Sequence, residues 1–330
     1  NNTDYIYIAI RRGPMKTPES GTEVFAMEYP TDSTANAIQP AGFPVDLVIA
    51  KSTTNTSYPP TWGTRMLGGG YLRSDGTAAF ASWPYVFFDT NEGYYSSSPG
   101  SYFTDSNAVQ WMFRRAPGFF DVVAYEGTGV AQDIPHNLGV APEMMIVKAR
   151  NRNEFWSVYH SGLNVNGDNA PETDVIFLNV TNAAVDQVGD WNDTAPTATQ
   201  FTVGVDNRVN NSTGDYIAYL FATVPGVSKV GSYSGDGTDN RTIDCGFSNG
   251  ARFVIIKPSS GASGDWQVLD TERGFNAGND PVLKLNTTAA EETVADVIDS
   301  NASGFNVNDD GGAGRSTNSG GVDYIFLAIA

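Results

Sequence analysis

The octet "DYIFLAIA" at residues 323–330 closes the chain. Related octets stand in the interior, "DYIAYLFA" at 215–222, and near the start, "DYIYIAIR" at 4–11. Each is a nearly continuous run of strand-forming apolar residues, which is typical of a strand that is buried on both faces or lies at the centre of a sandwich. The recurrence of one such strand predicts a protein built from repeated modules.

Other features keep the spacing of the octets. Separations of about 107–110 residues relate four pairs: Asp215 and Asp323, Lys148 and Lys257, Trp156 and Trp266, and Asn179 and Asn286. The first third of the chain repeats more loosely, with Lys51 and Trp62 in comparable places and an insertion at 68–103 that is rich in glycine and aromatic residues. We expect the recurring Lys and Trp residues to serve core and edge packing, because an element present in every module belongs to the scaffold.

Strands at short spacing, separated by Gly/Asn/Asp turns, favour antiparallel sandwiches. We therefore predict an all-β chain of three tandem antiparallel β-sandwich modules of about 105 residues, at 15–117, 118–225 and 226–330. Residues 1–14 are interpreted as the closing strand of a further module upstream. A short helix is expected only within 287–299. Short connections between modules predict a stiff rod with outward loops.

Composition excludes several classes of function. The net charge is −18, which disfavours nucleic acid or an anionic membrane surface as a partner. No apolar run approaches the length of a membrane-spanning helix, so membrane insertion is not expected. A single cysteine, Cys245, provides neither a disulfide framework nor a thiolate metal cluster.

Catalytic patterns are sparse. With two histidines in the chain, His136 and His160, no multi-histidine metal site can form. We interpret His136 as a turn residue whose ring bonds to nearby backbone, whereas His160 ends a strand and could line a groove. Nucleophile elbows, P-loops and dinucleotide fingerprints do not occur in the sequence, so we predict no enzyme and no catalytic residues. A pair of carboxylates at glycosidase spacing stays open as an alternative.

Two loops rich in Asp and Asn, at 166–174 and 306–312, carry the hard oxygen ligands that Ca²⁺ prefers. They do not have EF-hand spacing, and ordinary turns use the same residues. The sequence therefore predicts no resident cofactor and leaves Ca²⁺ as a candidate.

The insertion at 68–103 is the part that departs most from the repeat. Trp83 and the run "YVFF" at 85–88 resemble a core strand. We predict ligand-binding aromatics at Tyr94 and Tyr95, which are flanked by Gly93 and "SSSPG", and at Tyr71 and Tyr102. Aromatic faces beside short polar groups suit contact with sugar C–H faces or protein epitopes.

Three long strings carry a resemblance: "GFFDVVAYEGTGVAQDIPHNLGVAPEMMIVKARNRNEFWSVYH" (118–160), "GDYIAYLFATVPGVSKVGSYSGDGT" (214–238) and "CGFSNGARFVIIK" (245–257). They resemble a repeated β-rich domain of tail-fibre-like and virion adhesion proteins of marine bacteriophages. The resemblance implies a structural virion protein on the outside of the particle, most simply a tail fibre or receptor-binding component. By the same analogy its partners would be other virion proteins, a host surface glycan or receptor, and copies of itself, as a trimer.

Two alternatives stay open at this point. A capsid-decoration or baseplate protein would bridge neighbouring virion proteins without binding a receptor. A tailspike enzyme would degrade host glycans and would need two paired carboxylates in a groove.

Overall fold

The computed structural model describes residues 15–330 except 31, 262, 276–277, 294 and 310–315. The expected closing strand at 1–14 lies outside the described residues. Within them, each of the three predicted segments, called unit 1 (15–117), unit 2 (118–225) and unit 3 (226–330), holds one main sheet and one small sheet. Every strand pairing within these sheets is antiparallel, so the prediction of an all-β sandwich is confirmed.

The strands follow in chain order. Unit 1 contains β1 (Phe25–Glu28), β2 (Ile38–Pro40), β3 (Leu47–Ser52), β4 (Thr61–Thr64), β5 (Gly70–Arg73), β6 (Ala81–Ser82), β7 (Val86–Phe87), β8 (Gly93–Ser96) and β9 (Ala108–Phe113). Unit 2 contains β10 (Phe120–Glu126), β11 (Gln132–Pro135), β12 (Met144–Ala149), β13 (Ser157–His160), β14 (Asp174–Phe177), β15 (Val185–Asp186), α1 (Val188–Trp191), β16 (Gln200–Val203), α2 (Asn207–Asn210) and β17 (Asp215–Phe221). Unit 3 contains β18 (Ser228–Ser234), β19 (Arg241–Asp244), β20 (Phe253–Pro258), β21 (Gln267–Asp270), β22 (Leu283–Lys284), β23 (Ile298–Asn301), β24 (Gly304–Val307) and β25 (Asp323–Ile329).

The main sheets share one strand order. In units 1 and 2 the orders are β1-β9-β3-β4-β5-β6 and β10-β17-β12-β13-β14-β15, and in unit 3 it is β18-β25-β20-β21-β22. The small sheets are β2-β8-β7, β11-β16 and β19-β24-β23. The helix expected within 287–299 is wrong: among its described residues, 298 and 299 belong to β23, and the described α-helices are two single turns in unit 2.

The octets form strands that are covered on both faces. In β17, Tyr216, Ala218 and Leu220 pack in the sandwich core of unit 2. The alternating residues Ile217, Tyr219 and Phe221 belong instead to a core shared by all three units. Strand β25 alternates in the same way between the core of unit 3 and the shared core. Because successive side chains point to opposite faces, burial of both faces requires the continuous apolar run.

The three main sheets close on one another around the shared core. Ring contacts join unit 1 to unit 2 through Trp62 and Trp156, whose centroids are 5.2 Å apart, and unit 1 to unit 3 through Phe25 and Phe253 at 4.9 Å. Unit 3 reaches unit 2 through Trp266, whose Nε1 donates to Phe177 O at 2.9 Å. The expected stiff rod is therefore wrong. The inner face of each sheet is apolar, and it is buried against the other two units rather than against a successor in a row.

Equivalent backbone hydrogen bonds link each unit to the next in a cycle. Phe80 N donates to Arg150 O at 2.7 Å across the boundary of units 1 and 2, and Ala184 N donates to Ser259 O at 2.9 Å across that of units 2 and 3. Glu291 N donates to Thr53 O at 2.8 Å, which returns from unit 3 to unit 1. The closed cycle fixes the relative register of the three sheets.

The recurring lysines are fully buried beside these bonds. The Lys257 ammonium donates to Thr181 O and Asn182 O of unit 2 and to Gly264 O of its own unit, at 2.8–3.0 Å. Lys148 likewise bonds to Thr77 O of unit 1, and Lys51 to Thr287 O of unit 3. Burial lowers the pKa of Lys257 to about 7. The carbonyl oxygens offset this desolvation, so each lysine joins two units.

The tryptophans are buried as the sequence indicated, but Trp62 is not the counterpart of Trp156. Thr61 pairs with Ala50 in unit 1 as Ser157 pairs with Val147 in unit 2. The counterpart of Trp156 is therefore Pro60, and Trp62 lies two residues after that position. Trp156 Nε1 donates to Arg73 O of unit 1 at 3.0 Å. Trp62 Nε1 reaches the next unit indirectly, through the Ser74 hydroxyl, which donates to Leu285 O.

Replacement of Lys257, whose ammonium group donates to carbonyl oxygens of units 2 and 3, should weaken the contact between these units. We expect Lys257→Met to lower the free energy of unfolding by about 3 kcal/mol, because three buried carbonyl oxygens lose their donor. Urea denaturation of the whole chain measures it. Lys229→Met, at a half-buried strand position that takes no part in these bonds, serves as the control, and its free energy of unfolding should stay within about 0.5 kcal/mol of the wild type. Equal free energies of unfolding for the two variants would contradict a stabilising role of the Lys257 hydrogen bonds.

The burial of His160 predicts that the protein loses stability in acid. Its buried ring accepts from Gly162 N at Nδ1 and donates from Nε2 to Phe326 O of unit 3, and burial lowers its pKa to about 4. The unfolded state therefore binds more protons between pH 4 and 6.5, and stability falls as the pH falls through that window, by about 3 kcal/mol in total. Unfolding free energies at pH 7, 5.5 and 4 should fall less steeply for His160→Gln. Parallel profiles for the two proteins would exclude this role.

Candidate functional site

Five aromatic side chains of unit 1, four from the insertion and one that precedes it, lie together in a group called here the aromatic surface: Tyr58, Tyr71, Trp83, Tyr85 and Tyr102. Tyr102 joins Tyr58 and Tyr71, at centroid distances of 4.8 and 5.5 Å, in edge-to-face contacts. Trp83 continues the group, 6.5 Å from Tyr71 and 5.1 Å from Tyr85. The edge-to-face geometry is a favourable arrangement for aromatic quadrupoles and holds the rings in place.

The aromatic surface has a buried side and an open side. Tyr71, Trp83 and Tyr102 pack against the sandwich core of unit 1, and each remains half-buried. Tyr85 is 43% exposed. Beside Tyr71, Arg73 forms an ion pair with Asp75 at 2.9 Å. The surface thus combines fixed aromatic faces with polar groups, as contact with a partially apolar ligand requires.

The local sequence explains why these rings meet. Tyr71 lies in β5, which pairs with β6, and Trp83 follows directly after β6. Gly70 has no room for a side chain, since a Cβ there would lie 2.1 Å from the Phe80 ring. The close approach of the β5–β6 hairpin brings Trp83 over Tyr71, and Trp83 N donates to Gly69 O at 3.1 Å.

The predicted exposure of Tyr94 is wrong. Tyr94 is fully buried in β8, and its hydroxyl lies 2.8 Å from Phe103 O and 2.5 Å from Gln110 Oε1. Gly93, which suggested a turn, is instead a strand residue, and a Cβ there would lie 1.9 Å from Gln39 O of β2. Glycine here permits close pairing of two strands, so the neighbouring tyrosine belongs to the core of unit 1.

Tyr95 points to the other face of β8 and stays half-buried. Its ring stacks on Phe87 with centroids 5.0 Å apart, so it lies in a different aromatic contact. Of the four predicted residues, Tyr71 and Tyr102 meet in the aromatic surface. Sequence reasoning missed Tyr58, which lies outside the insertion, and took Trp83 and Tyr85 for a core strand. The proline pair after Tyr58 was the available signal of an irregular exposed segment.

His136 and Cys245, two groups capable of acid–base or metal chemistry, are both buried in the fold. His136 Nε2 donates to Thr197 O at 3.1 Å and its Nδ1 accepts from Leu138 N, which confirms the interpretation of a turn residue. Cys245 is buried, and burial raises the pKa of its thiol to about 12. Across the residues that the structure describes, which do not include 310–312 of the second Asp/Asn loop, no group of three or more His, Cys, Asp or Glu could hold a metal ion.

Comparison with known families matches residues 114–330, about two thirds of the chain, to the family described as Domain of unknown function (DUF7483). The chain belongs to this family. No curated protein matches the sequence. The DUF7483 match covers units 2 and 3 and begins after the end of β9, so the aromatic surface lies in the part of the chain outside it. In the described part of the chain, no helix is both long and apolar enough to cross a membrane.

Burial of Tyr94 predicts a stability effect without an effect on binding. Tyr94→Phe should lower the free energy of unfolding by about 1–2 kcal/mol, because Phe103 O and Gln110 Oε1 lose a buried hydrogen-bonding partner. Urea denaturation measures this change. Tyr95→Phe, on the opposite face of the same strand, is the matched control and should change stability by less than about 0.5 kcal/mol. A larger loss of stability for Tyr95→Phe than for Tyr94→Phe would support the interpretation of Tyr94 as an exposed loop residue.

Proposed function

We propose that this protein is a structural virion component, a bacteriophage tail fibre or receptor-binding protein that contacts the host cell surface. The proposal places it on the outside of the particle and takes other virion proteins, and a trimer of itself, as its assembly partners. It rests on the sequence resemblance to tail-fibre-like proteins together with the aromatic surface. Enzymatic activity is not part of the proposal.

The aromatic surface is the observation that supports host contact best. Rings held against a core present apolar faces at little cost in conformational entropy, and such faces stack on the C–H faces of sugars. Trp83 Nε1 is buried and has no hydrogen-bond acceptor in the described part of the chain. Because this nitrogen is closed to solvent, a ligand would contact the exposed ring faces rather than this donor. We therefore propose a glycan as the host ligand of this surface.

The closed three-unit body suits a particle exposed to the environment. Its inner sheet faces are buried in one shared core, and each unit is joined to both others. Removal of one unit would expose apolar surface on the other two, so the units are expected to unfold together. This arrangement supports a structural role equally well for a decoration or baseplate protein, and binding to host cells decides between the two.

The test is adsorption of the purified, fluorescently labelled chain to a panel of marine bacterial cells and to polysaccharide extracted from them. We expect Trp83→Ala and Tyr85→Ala each to weaken binding at least about tenfold, the loss of roughly 1.4 kcal/mol that one stacked ring provides. Phe155→Ala in unit 2, at a residue that is 38% exposed, is the matched control and should bind as the wild type does.

Three results would contradict the proposal in whole or in part. Binding that all three variants retain would place the receptor contact elsewhere, and the absence of binding to any cell would favour the decoration or baseplate role. Release of reducing sugar ends from the polysaccharide would instead favour the tailspike alternative.

A further inference from the structure

A second surface, separate from the aromatic surface, lies where unit 2 meets unit 3. It is a cleft of about 680 Å³, within the range of small-molecule sites. One wall is the segment 161–165 after β13, and the other is formed by β18, 259–261 and Asp323. The bond from Ala184 N to Ser259 O closes one end and holds the walls together.

Two small residues of the cleft lining, Gly162 and Ser232, lie in close contact across the two units. A Cβ on Gly162 would lie 2.4 Å from Ser232 Cβ, so glycine lets the two units approach at this point. Ser232 pairs with Ile325 in β25 and stands four residues after Ser228. Phe25 of β1 pairs with β9 as Ser228 pairs with β25, which makes Tyr29 the counterpart of Ser232.

The equivalent boundary between units 3 and 1 is filled. Tyr29 packs against the shared core there, and burial raises the pKa of its hydroxyl to about 12 although the charge of nearby Arg273 acts in the opposite direction. Arg273 is itself buried and bonds to Asp270 Oδ2 at 2.8 Å. By strand register Asp270 corresponds to His160, so Arg273 takes the place of Leu163. Between these two boundaries, the difference therefore lies in the side chains, with Ser232 and Leu163 at the open one in place of Tyr29 and Arg273.

The polar groups of the cleft suit hydroxyl groups. Asp323 Oδ1 accepts from the Ser234 hydroxyl at 2.5 Å. Among the described residues, Asp323 Oδ2 and the Ser232 hydroxyl have no protein partner, and both line the cleft together with Asn164. A carboxylate oxygen beside a hydroxyl and an amide can accept from and donate to adjacent hydroxyls of one ligand.

The remaining lining defines the ligand further. Val165, which is 42% exposed, offers an apolar face, whereas the Tyr233 ring lies on the opposite face of β18 from Ser232 and Ser234, stacked on Tyr324 against the core of unit 3. No Arg, Lys or His is among the lining residues, so a phosphate, sulfate or carboxylate would meet Asp323 without a compensating cation. We propose that this cleft binds a neutral saccharide, with Asp323 accepting from its hydroxyls. This inference does not depend on the function proposed for the aromatic surface.

The test is titration of the full chain with lactose, maltotriose, mannotriose and chitotriose, and with 3′-sialyllactose as the acidic counterpart, by saturation-transfer NMR and calorimetry. We expect at least one neutral saccharide to bind, with a Kd of about 1 mM or below. The acidic saccharide should bind at least tenfold more weakly. Failure of all four neutral saccharides to bind would overturn the proposal.

Variants locate the bound saccharide. Ser232→Tyr places at this boundary the residue that fills the equivalent one and should weaken binding more than tenfold. Ser232→Ala, which removes one hydroxyl and leaves the cleft open, should weaken binding only about threefold. Asp323→Asn, which keeps the shape of the side chain, should weaken binding about fivefold and decides the matter if Ser232→Tyr fails to fold. Trp83→Ala should leave this binding unchanged, which separates the cleft from the aromatic surface. Full binding by both Ser232→Tyr and Asp323→Asn would overturn the assignment.

Discussion

Burial of the inner faces of the three main sheets is the constraint on which the rest of the structure depends. Each sheet has one apolar face covered by its own small sheet and a second apolar face that no element of its own unit covers. Three such faces can remove one another from water by closing around a common core, and apolar burial is the dominant favourable term in folding. Closure makes the three units one cooperative body.

Polar groups inside the body determine how the units are ordered. Buried hydrogen-bonding groups must find partners, and here many partners lie in the neighbouring unit. Lys257 and Trp266 of unit 3 bond to backbone oxygens of unit 2, while Lys148 and Trp156 of unit 2 bond to those of unit 1. Apolar contact alone would tolerate sliding of one sheet on another. The directional bonds exclude it.

Approximate threefold repetition of the backbone makes local departures visible. Both candidate binding surfaces lie where equivalence fails. The aromatic surface is built mainly from the insertion of unit 1, and the cleft lies at the boundary where Ser232 and Leu163 replace Tyr29 and Arg273. The shared scaffold gives the two boundaries the same backbone pairing, so side-chain volume distinguishes the open one from the filled one. A repeated fold of this kind can therefore acquire a site by substitution of one or two residues.

The sequence by itself determined the all-β class, the repeat and its central strand, because periodicity and residue type act locally along the chain. It also determined that the recurring Lys and Trp residues are buried. Closure of the units and the positions of the binding surfaces were decided by the tertiary structure. A run that is apolar on both faces shows that two coverings exist but not which elements supply them. Gly93 illustrates the same limit, because a glycine that permits close strand pairing cannot be told from a turn glycine by sequence. The neighbouring Tyr94 was therefore predicted to be exposed, although it is buried and bonds to Gln110 of β9.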